Sequence, residues 1–247
     1  MLDDIAPIGV RVPPRVLHDV AALFGELVRV PCEALPGLPA HWPADGDTAA
    51  FAHRLSAVAL AIHRTFQAEF ADLLAALGVP QDPLAPAVDR WSLLHPRPFR
   101  LLHCDIHRKN VIVDRQRSVF IDWQLALWGD PLYDLAAHLH KMGYLPEERA
   151  AVTAAWVAAV PPECSSHWQR DLEIYLTHEK IKSAVVDGVR YTERYAQTPE
   201  DAGERRALAA RLAVKLAAAR PFLGGGPRRT PAEVEEVMRG WAETRKK

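Results

Sequence analysis

Between residues 99 and 136 the chain changes character. Elsewhere alanine and leucine recur at helical spacing, but here Phe99, Leu101, Val111, Val113, Val119 and Ile121 are bulky or β-branched, which predicts short strands. Arg115-Gln116-Arg117-Ser118 reads as the polar turn of a hairpin over 111–122, and 99–104 as a further extended segment. The run His103-Cys104-Asp105-Ile106-His107-Arg108-Lys109-Asn110 fills the gap between them. A chain that must hold this polar loop beside a hairpin, with helical periodicity on both sides, is expected to be mainly α with a small β-hairpin (α+β).

The flanking helices follow from their ends. Residues 13–29 open on Pro13-Pro14 and place Val16, Val20, Leu23 and Leu27 on one face. A Pro- and Gly-rich connector runs from Pro31 to Gly46. Asp47 then caps a long helix with a seam of Phe51, Leu55, Val58, Ile62, Phe66, Phe70, Leu73 and Leu77, and Gly78 ends it. His53, Arg54, His63 and Arg64 fall off that seam and are expected on a solvated face. Asp130-Pro131 is an N-cap followed by proline at the first helical position, opening a helix to about Met142. Helices at about 146–160, 167–196 and 202–219 follow. Thr230-Pro231-Ala232-Glu233 is a capping box for a last helix carrying Val234, Val237 and Trp241. Gly224-Gly225-Gly226-Pro227 lacks the Gly-Lys-Ser/Thr ending of a phosphate loop and reads as a linker. One domain is expected over 1–247: leading helices at 13–98, the loop and hairpin at 99–136, and a helical substrate-side part at 137–247.

The 30 basic and 31 acidic residues leave a net charge of -1, which gives no global field for nucleic acid or an anionic membrane surface. Three widely spaced cysteines, Cys32, Cys104 and Cys164, fit neither a disulfide framework nor a zinc knuckle. No apolar run reaches the ~20 residues that span a bilayer, and the first residues are acidic, so a cytoplasmic protein is expected. Abundant Ala, Arg and Pro with seven lysines points to a bacterial, GC-rich source.

The loop carries chemistry in its spacing. Phosphoryl transfer to an alcohol needs a carboxylate beside the attacking hydroxyl, oxygen ligands for magnesium and positive charge near the moving phosphate. Asp105 can supply the first. Asn110 and Asp122, brought together by the hairpin, can supply the second as a neutral and a charged oxygen. A competing reading takes His103-x-Asp105-x-His107 as a transition-metal set, but it leaves Asn110, Asp122 and the Gly129-Asp130-Pro131 motif without a role. Arg108 and Lys109 either meet phosphate oxygens or face solvent.

His103-Cys104-Asp105 through Asn110, Ile121-Asp122-Trp123 and Gly129-Asp130-Pro131-Leu132-Tyr133-Asp134-Leu135-Ala136 resemble the aminoglycoside phosphotransferase family and its choline-kinase-like relatives, within the protein-kinase-like fold. The resemblance implies that Asp105 is the catalytic aspartate, that Asn110 and Asp122 bind Mg2+, and that Asp134 braces the loop. His103 and Asp130 would also be loop support. ATP or GTP would be the donor and a small-molecule hydroxyl compound, cationic in many members, the acceptor. Cys104 stands where the family usually has glycine. Carboxylates on late helices bind cationic acceptors in the family, which directs attention to Glu179 and Asp187; a solvated face salted by Lys180, Lys182 and Arg190 is the other reading of that stretch.

The match is to the family's large lobe. Residues 1–108 contain no lysine and no Gly-x-Gly-x-x-Gly loop, so the small nucleotide-gripping lobe is missing from the pattern. Two expectations follow: a binding module that no longer transfers phosphate, or a large lobe whose small lobe lies upstream of this sequence or is supplied by a separate polypeptide. The second predicts an exposed apolar edge of Ile5, Ile8, Val10 and Val12.

Overall fold

The computed structural model describes residues 1–35, 37–115 and 117–245, with Gln67 and Ala68 by their backbone alone. Gln116 of the expected turn and Pro36 of the expected connector lie outside the described residues.

Several helices start on proline, where a missing N–H costs nothing, and α3 stops where the backbone turns left-handed. After the single turn α1 (Leu2–Ile5), α2 (Pro14–Leu27) begins on proline at its first position. α3 (Thr48–Ala76) starts at Asp47, whose carboxylate accepts the Ala50 N–H at 3.0 Å. It ends with Gly78 at φ +83°, where Gly78 N–H meets Ala75 O and Val79 N–H meets Leu74 O, the paired bonds of a Schellman end. α4 (Ala85–Val88) is again one turn. Later come α5 (Pro131–Met142), α6 (Pro146–Ala159), α7 (Trp168–Gln197), α8 (Ala202–Ala219) and α9 (Pro231–Thr244), the last with both bonds of the Thr230/Glu233 capping box.

Among the described residues, two small antiparallel sheets interrupt this mainly helical body. β2 (Val111–Val113) and β3 (Ser118–Phe120) form the expected hairpin, with Val111 opposite Phe120 and Val113 opposite Ser118. β1 (Arg100–Leu102) pairs instead with β4 (Leu127–Gly129), Arg100 opposite Gly129 and Leu102 opposite Leu127. Three residues are too few to carry an alternation of their own, so β4 is invisible to periodicity. Its antiparallel pairing sets the residues just before β1, Arg97 among them, beside Gly129-Asp130-Pro131.

The chain, expected as one domain, divides into two compact units: Met1–Ala52 with Trp91–Leu176, and His53–Arg90 with Thr177–Lys247. In the first, Phe24, Phe51, Trp91, Phe99, Leu102, Leu132, Trp156 and Tyr175 are buried. Phe51 packs on Phe99 and Tyr133 at ring-centroid distances of 5.5 and 5.9 Å. Gly129 lies against the Phe51 ring, and a Cβ there would come within 2.1 Å of Phe51 Cε2. The glycine of the motif is therefore a space requirement. In the second unit Phe70, Leu73, Leu77, Val189, Leu212, Val234 and Met238 form the core, and Trp241 stacks on Phe70 at 4.9 Å.

One expectation for α3 is corrected. Val58 and Ile62 of the proposed seam are exposed, while Ser56, Ala59 and His63 are buried. His63 is not on a solvated face: its Nε2 lies 3.1 Å from the Gln81 carbonyl. α3 begins in the first unit and continues in the second, and one continuous apolar seam does not run its length. The buried face in its middle is made of small and polar residues that hydropathy does not register.

Gly129→Ala is expected to lower stability by about 3 kcal/mol in urea unfolding, since the ring cannot move out of a close-packed core. Adding Phe51→Leu should recover at least about 1 kcal/mol of that loss through the coupling of the two sites.

Candidate active site

The loop after β1 turns through Cys104, a non-glycine residue at φ +62°, a conformation costing an L-residue about 1–2 kcal/mol. Helix α5 holds it there. The buried Asp134 carboxylate accepts the His103 N–H and the Cys104 N–H, each at 2.8 Å. One turn on, His138 lies 3.0 Å from the Ile106 carbonyl through Nδ1 and 2.9 Å from the Tyr144 hydroxyl through Nε2. A carbonyl only accepts, so Nδ1 carries the ring proton and Nε2 receives the phenol's. Burial pushes the His138 pKa down to about 4, so the imidazole stays neutral at physiological pH. After another turn, Lys141 Nζ donates to Cys104 O at 2.8 Å and to Asp105 Oδ1 at 2.7 Å. Residues 134, 138 and 141 stand at i, i+4 and i+7, one face of the helix.

The start of α5 is anchored in turn. Asp130 Oδ1 accepts the Leu132 N–H at 3.0 Å as N-cap. Its Oδ2 accepts from Arg97 Nη1 at 3.0 Å and from the Tyr175 hydroxyl at 2.9 Å. The fully buried Arg97 side chain also donates to Asp171 Oδ2 at 2.5 Å and twice to the Ser166 carbonyl. Burial opposes ionisation of Asp171, yet the bonds from Arg170, the His95 N–H and Arg97 outweigh it and hold its carboxyl below the usual range.

Asp105 is fixed through both carboxylate oxygens. Oδ1 meets Lys141, and Oδ2 accepts from Asn110 Nδ2 at 3.0 Å, the same nitrogen that bonds the Asp105 carbonyl at 3.0 Å. His107 Nε2 stands 3.6 Å from Oδ1, too far for a hydrogen bond. Burial works against the charge on Asp105, but His107 and Lys141 outweigh it and keep the carboxyl well below the ordinary carboxylate range.

Asn110 and Asp122 are set side by side by the hairpin, because Ile121 N–H donates to the Asn110 carbonyl at 3.0 Å. Asp122 follows at φ +66°, exposed, and Trp123 then packs on the His103 ring at 4.3 Å. The donor side of the Asn110 amide is spent on Asp105, which leaves Oδ1 to accept. One neutral and one charged oxygen fit a hard divalent cation that takes its remaining ligands from phosphate and water. The transition-metal reading does not fit: His103 Nδ1 accepts the Asp105 N–H at 3.3 Å and His107 Nδ1 the Lys109 N–H at 3.2 Å. Among the described residues no group of three or more His, Cys, Asp or Glu side chains is arranged to hold a metal.

Other expected residues lie elsewhere. Arg108 is corrected: it is buried and spends its guanidinium on the carbonyls of Met142, Ala6, Val10 and Gly143, tying the N-terminal segment to the end of α5. A guanidinium so occupied does not reach phosphate. Lys109 is exposed. Glu179 and Asp187 belong to the second unit. Glu179 is buried with Lys182 Nζ at 2.5 Å and His178 at 3.3 Å. Asp187 is paired with Lys215 at 2.9 Å and Arg190 at 3.5 Å. Of the expected apolar edge, Ile5, Ile8 and Val10 are exposed, but Val12 is buried, its N–H donating to Glu148 at 2.5 Å. Sequence reasoning missed Lys141, His138, Arg97, Asp171 and Tyr175. The i, i+4, i+7 spacing from Asp134 would have found the first two; nothing local marks the others.

A profile of the APH phosphotransferase enzyme family matches residues 1–173. No curated protein matches the sequence. Among solved structures, the chain is similar to a choline/ethanolamine kinase family protein from Mesorhizobium loti, with a TM-score of 0.51 at 16% identity, over 92% of this chain and 66% of that one. At that identity the likeness shows the fold, and the chain spans just under two thirds of that protein's length.

Arg97→Met would strand two buried carboxylates and is expected to cost about 3–5 kcal/mol by denaturant unfolding. His138 has a folded pKa below its usual 6.5, so its contribution to stability is present above that value and lost as pH falls toward about 4. In His138→Gln, unfolding free energy should accordingly depend less on pH between about 4 and 6.5 than in the wild type.

Proposed function

The chain belongs to the phosphotransferase enzyme family, and from the arrangement around Asp105 we propose that it is a small-molecule O-phosphotransferase. It moves the γ-phosphate of ATP or GTP to a hydroxyl of an aminoglycoside-like or other amino-alcohol acceptor. The observation that carries this reading is the double grip of Asn110 on Asp105, by carbonyl and carboxylate, with Lys141 on the opposite oxygen. It presents one carboxylate in a fixed orientation beside one free amide oxygen.

The acceptor hydroxyl hydrogen-bonds to Asp105, which aims its oxygen at the γ-phosphorus. As the new O–P bond forms, the P–O bond to the β-phosphate breaks and its electron pair leaves with the nucleoside diphosphate. The hydroxyl proton passes to Asp105. A carboxylate held this acidic is a weak base toward an alcohol, so it orients early and accepts the proton late, as suits a loose transition state. Asn110 and Asp122 would hold magnesium, which supplies neutralisation of phosphate charge. Phosphate and amino-alcohol are small soluble ligands, and no helix among the described residues is long and apolar enough to cross a membrane, in keeping with work in the cytoplasm.

The nucleotide must also be covered from the other side. In this reading the small lobe, upstream of this sequence or on a separate polypeptide, does so, seated on an apolar edge where Ile5 is 57% and Ile8 71% exposed. A second reading, a binding module without transferase activity, is favoured by the absence of any lysine before Lys109 and of a glycine-rich phosphate loop.

Calorimetry with magnesium and millimolar ATP or GTP separates the two. Binding that Asp122→Asn abolishes, with Asp105→Asn lowering kcat by about 10²- to 10⁴-fold on an accepted amino-alcohol, supports the transferase. A chain that binds no nucleotide and transfers no phosphate is either the binding module or a large lobe awaiting its small lobe.

A further inference from the structure

A lysine in the last turn of a helix ordinarily faces water and complements the dipole. Lys141 instead turns back over the loop, with Nζ between Cys104 O at 2.8 Å and Asp105 Oδ1 at 2.7 Å and its side chain 24% exposed. An ammonium has three N–H donors. Two are spent in fixed directions, and no described residue accepts the third. Among the described residues Lys141 is also the one cation hydrogen-bonded to Asp105, since Arg108 is consumed by carbonyls and His107 stays at 3.6 Å. A positive charge is therefore held one hydrogen bond from the group that would meet the acceptor hydroxyl. The anchoring is rigid, because the same helix face supplies Asp134 and His138 to the loop.

We propose that Lys141 is a catalytic residue of the transfer, its third N–H binding an oxygen of the γ-phosphoryl group while the other two hold Asp105 and the loop. This rests on reading Asp105 as the phosphotransfer aspartate. As the bond to the β-phosphate breaks, negative charge spreads over the γ-oxygens and the leaving oxygen. A donor already oriented there needs no reorganisation. The position also explains why the ammonium is left partly open. An ion pair that stays partly open to water stabilises a fold by little, so the contact with Asp105 has small value as a structural tie alone.

The test uses the full chain as Lys141→Met, Lys141→Gln and Lys141→Arg, with magnesium tripolyphosphate as the probe in calorimetry, together with phosphate-transfer rates and melting curves. Lys141→Met should bind tripolyphosphate roughly ten- to hundredfold more weakly. Its kcat should fall by about 10²- to 10³-fold with the acceptor KM little changed and melting within a few degrees of wild type. Lys141→Gln keeps an amide donor for Cys104 O and Asp105 but no charge; it should show the same loss, and it carries the test if the methionine variant fails to fold. Lys141→Arg should recover part of the binding. Variants that bind the probe and turn over like the wild type overturn the role of Lys141 and leave the phosphotransferase reading standing. A wild type that binds no tripolyphosphate and transfers no phosphate overturns both.

Discussion

A buried guanidinium holds the site together from behind. Arg97 lies between Asp130, which caps α5, and Asp171 near the start of α7, with Tyr175 closing on the same Asp130 oxygen. Removing charges from water is expensive, and such a cluster persists only because each partner satisfies the others. With the first turn of α5 fixed, everything that α5 does to the loop is fixed too. Asp134 takes two loop amides, His138 takes the Ile106 carbonyl, and Lys141 takes Cys104 and Asp105.

That clamp offsets unfavourable backbone. Cys104 and Asp122 both stand in the left-handed region without being glycine; Cys104 adjoins Asp105, and Asp122 is itself one of the groups proposed to act. Strain of this kind persists where surrounding contacts over-determine it. Asp134 supplies them for Cys104 through its amide, and the Trp123 ring against His103 ties the turn after Asp122 to the same loop. The loop is thus braced by the fold's own contacts, and positioning is most of what phosphoryl transfer asks of a protein.

Charge near Asp105 is arranged differently from what a count of basic residues suggests. Arg108 and Lys109 are adjacent in sequence to the loop's acid, yet one is buried as a structural tie and the other faces solvent. The cation that reaches Asp105 comes from 36 residues further along the chain. In the second unit, Asp187 is neutralised by Lys215 and Arg190, so the charge there is spent on helix packing.

The sequence by itself determined the local features. Asp47, Gly78, Asp130-Pro131 and Thr230-Pro231 act on the few residues beside them, so helix ends were legible. The β2–β3 hairpin and the spacing of Asp105, Asn110 and Asp122 were legible for the same reason: they are short-range. Only the tertiary structure decided which long side chains reach the site. The direction of Lys141, the burial of Arg97 and Arg108, the pairing of β4 with β1 and the turn of the α3 face depend on partners tens of residues away. A flexible arginine or lysine can serve a solvated face, a carbonyl cluster or a phosphate equally well, and packing selects among them.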